Sequence, residues 1–189
     1  MKIMVETSAR HVHLTQEHLD ILFGEGYALT PKKDLSQPGQ FACVEKVEVV
    51  GPKGSLKMSI LGPVRPETQI EFSKTETRTL GIDAPLRMSA DLEGTPGCKI
   101  IGPKGEITVD KGVIVAKRHA HFTPDDAKVF GVTDGQAIQI KLDYNGRSLI
   151  FGDVIARVSK TAGLAVHIDT DEANAAGLTG TVDGEAIIG

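Results

Sequence analysis

The chain has 189 residues, a formal net charge of −4 and a sequence pI near 5.9. That length suits one compact domain or two small ones with a buried core. The acidic balance argues against a basic nucleic-acid footprint. With no Trp and 4% aromatics, a platform for stacking bases is poorly supplied. No apolar run is long enough to span a bilayer, and Met1 to Val5 leads into the first motif without a charged-then-apolar leader, so intracellular residence is expected. Cys43 and Cys98 lie far apart, and no structural disulfide is expected in such a compartment.

Twenty-one glycines and nine prolines punctuate short Val/Ile-rich runs, which predicts many short strands. Lys2 to Ser8 reads as a strand that enters Arg10-His11-Val12-His13-Leu14-Thr15. Thr15 then caps a short helix over Gln16 to Phe23, stopped by Gly24 or Gly26. Lys46 to Val50 and Leu56 to Leu61 are strands around the turn Gly51-Pro52-Lys53-Gly54. Lys99 to Ile101 and Glu106 to Val109 flank the same kind of turn at Gly102-Pro103-Lys104-Gly105. Gly112 to Lys117 is a strand entering Arg118-His119-Ala120-His121-Phe122-Thr123, a near-copy of the first His motif. Thr123 caps the next helix, Pro124 takes its first position, Asp125 and Asp126 suit its positive end, and Gly131 ends it. Gln136 to Leu142 and Ser148 to Phe151 form a hairpin through Asn145-Gly146, and Leu164 to Ile168 is a buried strand.

The two halves can be aligned further. Glu71 to Gly81 matches His167 to Gly177, with the glycine ten residues on in both. Ser73 with Glu76, and Asp169 with Glu172, have capping-box spacing. The chain thus reads as an internal duplication. Residues two apart on an extended segment share a face, so each His-x-His pair aims two imidazoles at one point. Glu71 and His167 supply a third donor at matching places. Two triads result, His11/His13/Glu71 and His119/His121/His167, each leaving a coordination position open as catalytic zinc sites do. Cobalt or iron would suit the same donors. The triad with a carboxylate has one less positive charge to offer an anion, so the all-imidazole site is expected to bind phosphate more strongly.

Other side chains carry weaker signals. Arg65 sits in the stiff turn Gly62-Pro63-Val64-Arg65-Pro66, six residues before Glu71, and suits an oxyanion or phosphate better than a surface ion pair. Arg10 and Arg118 point away from the first imidazole of each pair; a structural role is expected, with anion holding the alternative. His18 reads as an ordinary helix histidine. Cys43 and Cys98 read as small buried hydrophobes rather than nucleophiles. Neither a Walker-type loop nor a Gly-x-Ser-x-Gly elbow is present.

At Ser8 to Thr15, Gly62 to Gln69, Lys117 to Pro124 and His167 to Asn174, the sequence resembles the phosphate propanoyltransferases, the phosphotransacylases associated with bacterial microcompartments. The resemblance covers almost the whole chain, with four motifs in order. It implies a mainly β fold of two related β-barrels capped by short helices, with two zinc ions between them. Residues 1–10 plus 117–189 would form the first barrel, which takes a swapped N-terminal strand, and residues 11–116 the second. It implies the reaction acyl-CoA + phosphate ⇌ acyl phosphate + CoA, with coenzyme A as a substrate. One zinc would lie on His11, His13 and Glu71, the other on His119, His121 and His167, with Arg65 as the phosphate-binding side chain. Small molecules are the expected partners, with neither nucleic acid nor membrane, in a homodimer. Microcompartment members carry an amphipathic N-terminal extension. Only a handful of residues precede the first motif here, so a free cytosolic enzyme or a trimmed chain is expected, and the choice between acetyl and propanoyl groups stays open.

The expected mechanism is direct transfer. Phosphate, oriented by the metals and Arg65, attacks the thioester carbonyl and CoA leaves. The rivals are a covalent route through Cys43 or Cys98, a metal-dependent hydrolase of a thioester or phosphate ester, and a non-catalytic metal-binding or shell-associated module.

Overall fold

Residues 1–189 are described by a computed structural model. In chain order the elements are β1 (Lys2–Thr7), β2 (His11–His13), α1 (Gln16–Phe23), β3 (Pro31–Asp34), β4 (Phe41–Val50), β5 (Ser55–Gly62) and β6 (Gln69–Glu71). There follow α2 (Lys74–Leu80), β7 (Leu86–Arg87), β8 (Cys98–Ile101), β9 (Glu106–Val109), β10 (Val113–Ala116) and β11 (His119–Phe122). The chain ends through α3 (Pro124–Phe130), β12 (Ala137–Leu142), β13 (Leu149–Val158), β14 (Ala165–Ile168), α4 (Thr170–Ala175) and β15 (Val182–Ile187). The protein is mainly β with four short helices, in the class the sequence suggests.

The chain divides into two compact units. One comprises Met1–Ala9, Ser36–Pro38 and Lys117–Gly189. Its six strands close into a barrel in the order β1-β14-β11-β13-β12-β15. β12 alternates strictly between exposed and buried positions, so Ile138, Ile140 and Leu142 enter the core. They join Val5, Phe122, Val154, Val166 and Ile168. The other unit comprises Arg10–Leu35 and Gly39–Ala116. Its nine strands form an open, curled sheet in the order β7-β10-β6-β2-β5-β4-β8-β9, with β3 paired to β4. Its core gathers Val12, Leu14, Leu19, Leu22, Val49, Met58, Ile60, Ile70 and Ile100.

Where elements run beyond their sequence signals, an irregularity hides the period. β4 begins at Phe41 rather than Lys46, because its register against β5 shifts between Ala42 and Lys46. β13 runs to Val158 past Asp153, a non-glycine residue with φ of 52°. The hairpin at Asn145-Gly146 has φ of 49° and 69°, the left-handed pair that a two-residue turn needs.

The helices start where the caps predict. Thr15 accepts from the amide of His18. Ser73 with Glu76, Thr123 with Asp126, and Asp169 with Glu172 each form a reciprocal capping box. Each box contributes about 1 kcal/mol. α1, α2 and α3 stop at Gly24, Gly81 and Gly131; α4 stops one residue before its glycine, with Ala176 as cap and Gly177 at φ of 66°.

Candidate active site

Each His-x-His segment is a short buried strand held between one parallel and one antiparallel neighbour. β2 runs parallel to β5 and antiparallel to β6, so His11 faces Glu71 across the ladder. β11 runs parallel to β13 and antiparallel to β14, so His119 faces His167. Residues 60 and 48 positions apart thereby become cross-strand neighbours. The two clusters are His11/His13/Glu71 and His119/His121/His167, and within each the candidate donor atoms lie within 4.8 Å of one another.

The donors suit a divalent transition metal. The Nδ1 of His119 lies 2.8 Å from the carbonyl of Lys117. A carbonyl only accepts, so that nitrogen carries the proton and Nε2 keeps its lone pair. His13 makes the same contact with the Leu61 carbonyl at 3.3 Å. His11 Nε2 and Glu71 Oε2 are 3.6 Å apart, close to the roughly 3.3–3.5 Å between two ligands of a tetrahedral zinc. Burial, then His11 and the Arg65 guanidinium, hold the His13 imidazole well below its ordinary range. Burial, then His119, His167 and the Arg157 guanidinium, lower His121 to about 3. Both rings are therefore neutral at ordinary pH, the form that binds metal.

A polar chain runs out of the first cluster. Gln69, almost fully buried, donates from Nε2 to Glu71 Oε1 and, at 2.8 Å, to Ser89 Oγ. Its own Oε1 accepts from the Ala90 amide at 2.7 Å. Arg65 Nη1 donates to the same Ser89 hydroxyl at 3.3 Å, and the Arg65 backbone amide is tied to the Leu14 carbonyl at 2.8 Å. The loop arginine is thus fixed relative to a carboxylate of the cluster. The turn at Gly112 seats β10 beside β6. Its φ is +116°, and a Cβ there would lie 2.5 Å from the Thr68 carbonyl oxygen.

The arginines that open the two motifs turn away from the histidines. Arg10 Nη1 pairs with Glu76 at 2.6 Å, and Arg118 Nη1 with Glu172 at 3.2 Å. Each thus ties the His strand to the N3 carboxylate of a capping box. Arg118 also covers the Phe151 ring at 5.4 Å. His18 bonds the Thr68 hydroxyl at 2.7 Å through Nδ1.

The family model for phosphate propanoyltransferase matches residues 4–179. A phosphate propanoyltransferase of Thermotoga maritima is 54% identical over 175 residues, covering 92% of this chain and 83% of that protein. One of Clostridioides difficile is 54% identical over 182 residues, covering 95% and 87%. One of Listeria monocytogenes is 47% identical over 186 residues, covering 98% and 87%. The chain belongs to the phosphate propanoyltransferase family. It is therefore an acyltransferase of the phosphotransacylase class. No helix is long and apolar enough to cross a membrane.

Three side chains beside the clusters escape sequence reasoning. Arg157 lies opposite His121 in the β11–β13 register. Glu6, on β1, lies opposite His167, with its Oε1 2.7 Å from His167 Nε2. Ser36 donates to Glu6 and lies 3.2 Å from the same nitrogen. Arg157 and Glu6 sit inside ordinary strand patterns and Ser36 in a loop, so only the long-range pairing could reveal them. Glu6 sets a carboxylate beside the all-imidazole cluster as well, so the two clusters differ less in charge than their donors alone suggest. Both cysteines are buried. Burial, with Glu45, raises the Cys43 thiol to about 11, and burial raises Cys98 to about 12. Neither supplies a thiolate near neutral pH.

Proposed function

We propose that the chain transfers an acyl group directly between coenzyme A and inorganic phosphate, using two divalent metal ions, zinc before cobalt or iron. The substrates are propanoyl- or acetyl-CoA. His11, His13 and Glu71 hold one ion and His119, His121 and His167 the other. The observation that carries this reading is the recurrence of three converging donors with an arginine beside each set: Arg65 reaches Glu71 through Ser89 and Gln69, and Arg157 lies opposite His121 in the strand register. Three protein ligands leave a position for a substrate oxygen.

When bound, such ions supply positive charge for phosphate and for the oxyanion that develops on the thioester carbonyl. Arg65, braced by Ser89 and by its backbone bond to Leu14, holds phosphate and turns one oxygen toward the carbonyl carbon. Arg157 offers the corresponding cation at its own cluster. The phosphate oxygen forms the new C–O bond, the C–S bond breaks, and CoA leaves as thiolate. No acyl-enzyme is needed, in keeping with the buried, protonated cysteines.

The test is CoA release from an acyl-CoA series, with and without phosphate, with acyl phosphate quantified. Release that requires phosphate and is fastest with two- or three-carbon acyl groups is expected. Thiol release that ignores phosphate would instead identify a hydrolase.

A further inference from the structure

We infer that Glu6 is the positioning residue of the His119–His121–His167 cluster: its carboxylate accepts the Nε2 proton of His167, leaving Nδ1 as the nitrogen that meets the metal. This rests on the proposed metal at that cluster. Two carboxylate–imidazole pairs can be compared, and their separations differ in kind. Glu71 Oε2 is 3.6 Å from His11 Nε2, too long for a hydrogen bond and right for two ligands of one ion. Glu6 Oε1 is 2.7 Å from His167 Nε2, the length of a charge-assisted hydrogen bond and too short for two ligands of a tetrahedral ion. A carboxylate at this distance accepts, so Nε2 carries the proton. The neutral ring then has its lone pair on Nδ1.

The placement of Glu6 is built rather than incidental. β1 runs parallel to β14 with Glu6 and His167 as Cα partners. The Ser36 hydroxyl donates to the same carboxylate oxygen. Ser36 is held in turn by Gln37, whose side-chain amide donates to the Gly163 carbonyl at 2.8 Å and accepts from the Gly163 amide at 3.1 Å. The segment packs so closely that a Cβ at Gly163 would lie 2.2 Å from the Ser36 carbonyl oxygen. At the other cluster the strand parallel to β6 is β10, and the residue opposite Glu71 is Ile114. There Gln69 supports the ligand instead, by donating to Glu71 Oε1. A carboxylate behind a ligating imidazole fixes its tautomer and raises its basicity.

The test uses the full chain with 15N-labelled histidines and 113Cd as the metal. Cadmium coupling to Nδ1 of His167 and to Nε2 of His119 is expected. Coupling to Nε2 of His167 overturns the inference while leaving the metal reading intact. Absence of cadmium at this cluster in the wild-type chain overturns both. In chelator competition, Glu6→Ala should weaken metal binding at this cluster by about 10–100-fold and spare the His11 cluster. Glu6→Gln should recover most of the loss, since its amide oxygen still accepts the Nε2 proton. Equal affinities in all three chains overturn the inference. The coupling measurement needs no variant, so a poorly folded Glu6→Ala does not shield it.

Discussion

The His11–His13–Glu71 and His119–His121–His167 clusters are built on the same strip of five strands. In one unit β10, β6, β2, β5 and β4 pair as parallel, antiparallel, parallel, antiparallel. In the other β1, β14, β11, β13 and β12 repeat that sequence of directions. Outside the strip the sheets part company, one closing with β15 and the other extending openly through β8 and β9. What differs within the strip is where the charges come from. The first cluster has its carboxylate among its own candidate donors and its arginine on the loop after β5. The second takes a carboxylate from the neighbouring β1 and an arginine from β13 itself. Matching backbone geometry therefore does not imply matching electrostatics. The balance of charge at a site has to be counted over every strand that borders it.

The largest expected effect comes from deleting a proposed metal donor in either cluster. His11→Ala and His119→Ala should each lose one metal ion per chain, read by elemental analysis. Each should lower kcat by at least about 10³-fold, since a catalytic ion supplies several kcal/mol of charge stabilisation. Phosphate saturation in the residual activity should shift to the same extent in both, within about threefold or 0.7 kcal/mol. A much greater shift in His119→Ala would restore the view that the all-imidazole cluster is the stronger anion site.

Next in size are the cations. Arg65→Lys keeps the charge and loses the fork that bonds Ser89 while facing an anion. It should raise the KM for phosphate by about 10–100-fold, the worth of one charge-assisted hydrogen bond, with metal content unchanged. Arg157→Lys should raise the same KM, with metal content unchanged. An effect confined to one arginine would show that only one cluster handles phosphate.

Arg10→Ala and Arg118→Ala probe the scaffold rather than the chemistry. Each removes the partner of a capping-box glutamate, and each should cost about 1–2 kcal/mol in urea unfolding, Arg118 more because it also covers Phe151. Metal loss without loss of stability would instead place these arginines in the site. The smallest change is expected from Cys43→Ala with Cys98→Ala. Turnover should stay within about twofold, a barrier change near 0.4 kcal/mol. Abolished turnover in the folded double variant would revive the covalent route.

Much of this was legible in the chain because the signals are local. Thr15, Thr123 and the Ser73/Glu76 and Asp169/Glu172 boxes announce helix starts within four residues, and all four helices begin there. Alternation announces β12. Arg65 stands out because prolines flank it. The rest depends on which strands become neighbours. Glu6 and His167 are 161 residues apart, and their contact exists only because β1 joins the barrel of the C-terminal half. Arg157 lies in the part of β13 that follows the irregular Asp153, where the period-two signal is broken. The open sheet of the other unit was equally hidden, since closure depends on edge pairing that no short motif encodes.

Phosphate is the proposed acyl acceptor, and metal its proposed helper. The most direct measurement is CoA release from propanoyl-CoA by chelator-stripped and zinc-restored protein, each with and without phosphate. Release is expected only where metal and phosphate are both present, with one acyl phosphate formed per CoA. Full turnover by the stripped protein, or thiol release in the absence of phosphate, would contradict it.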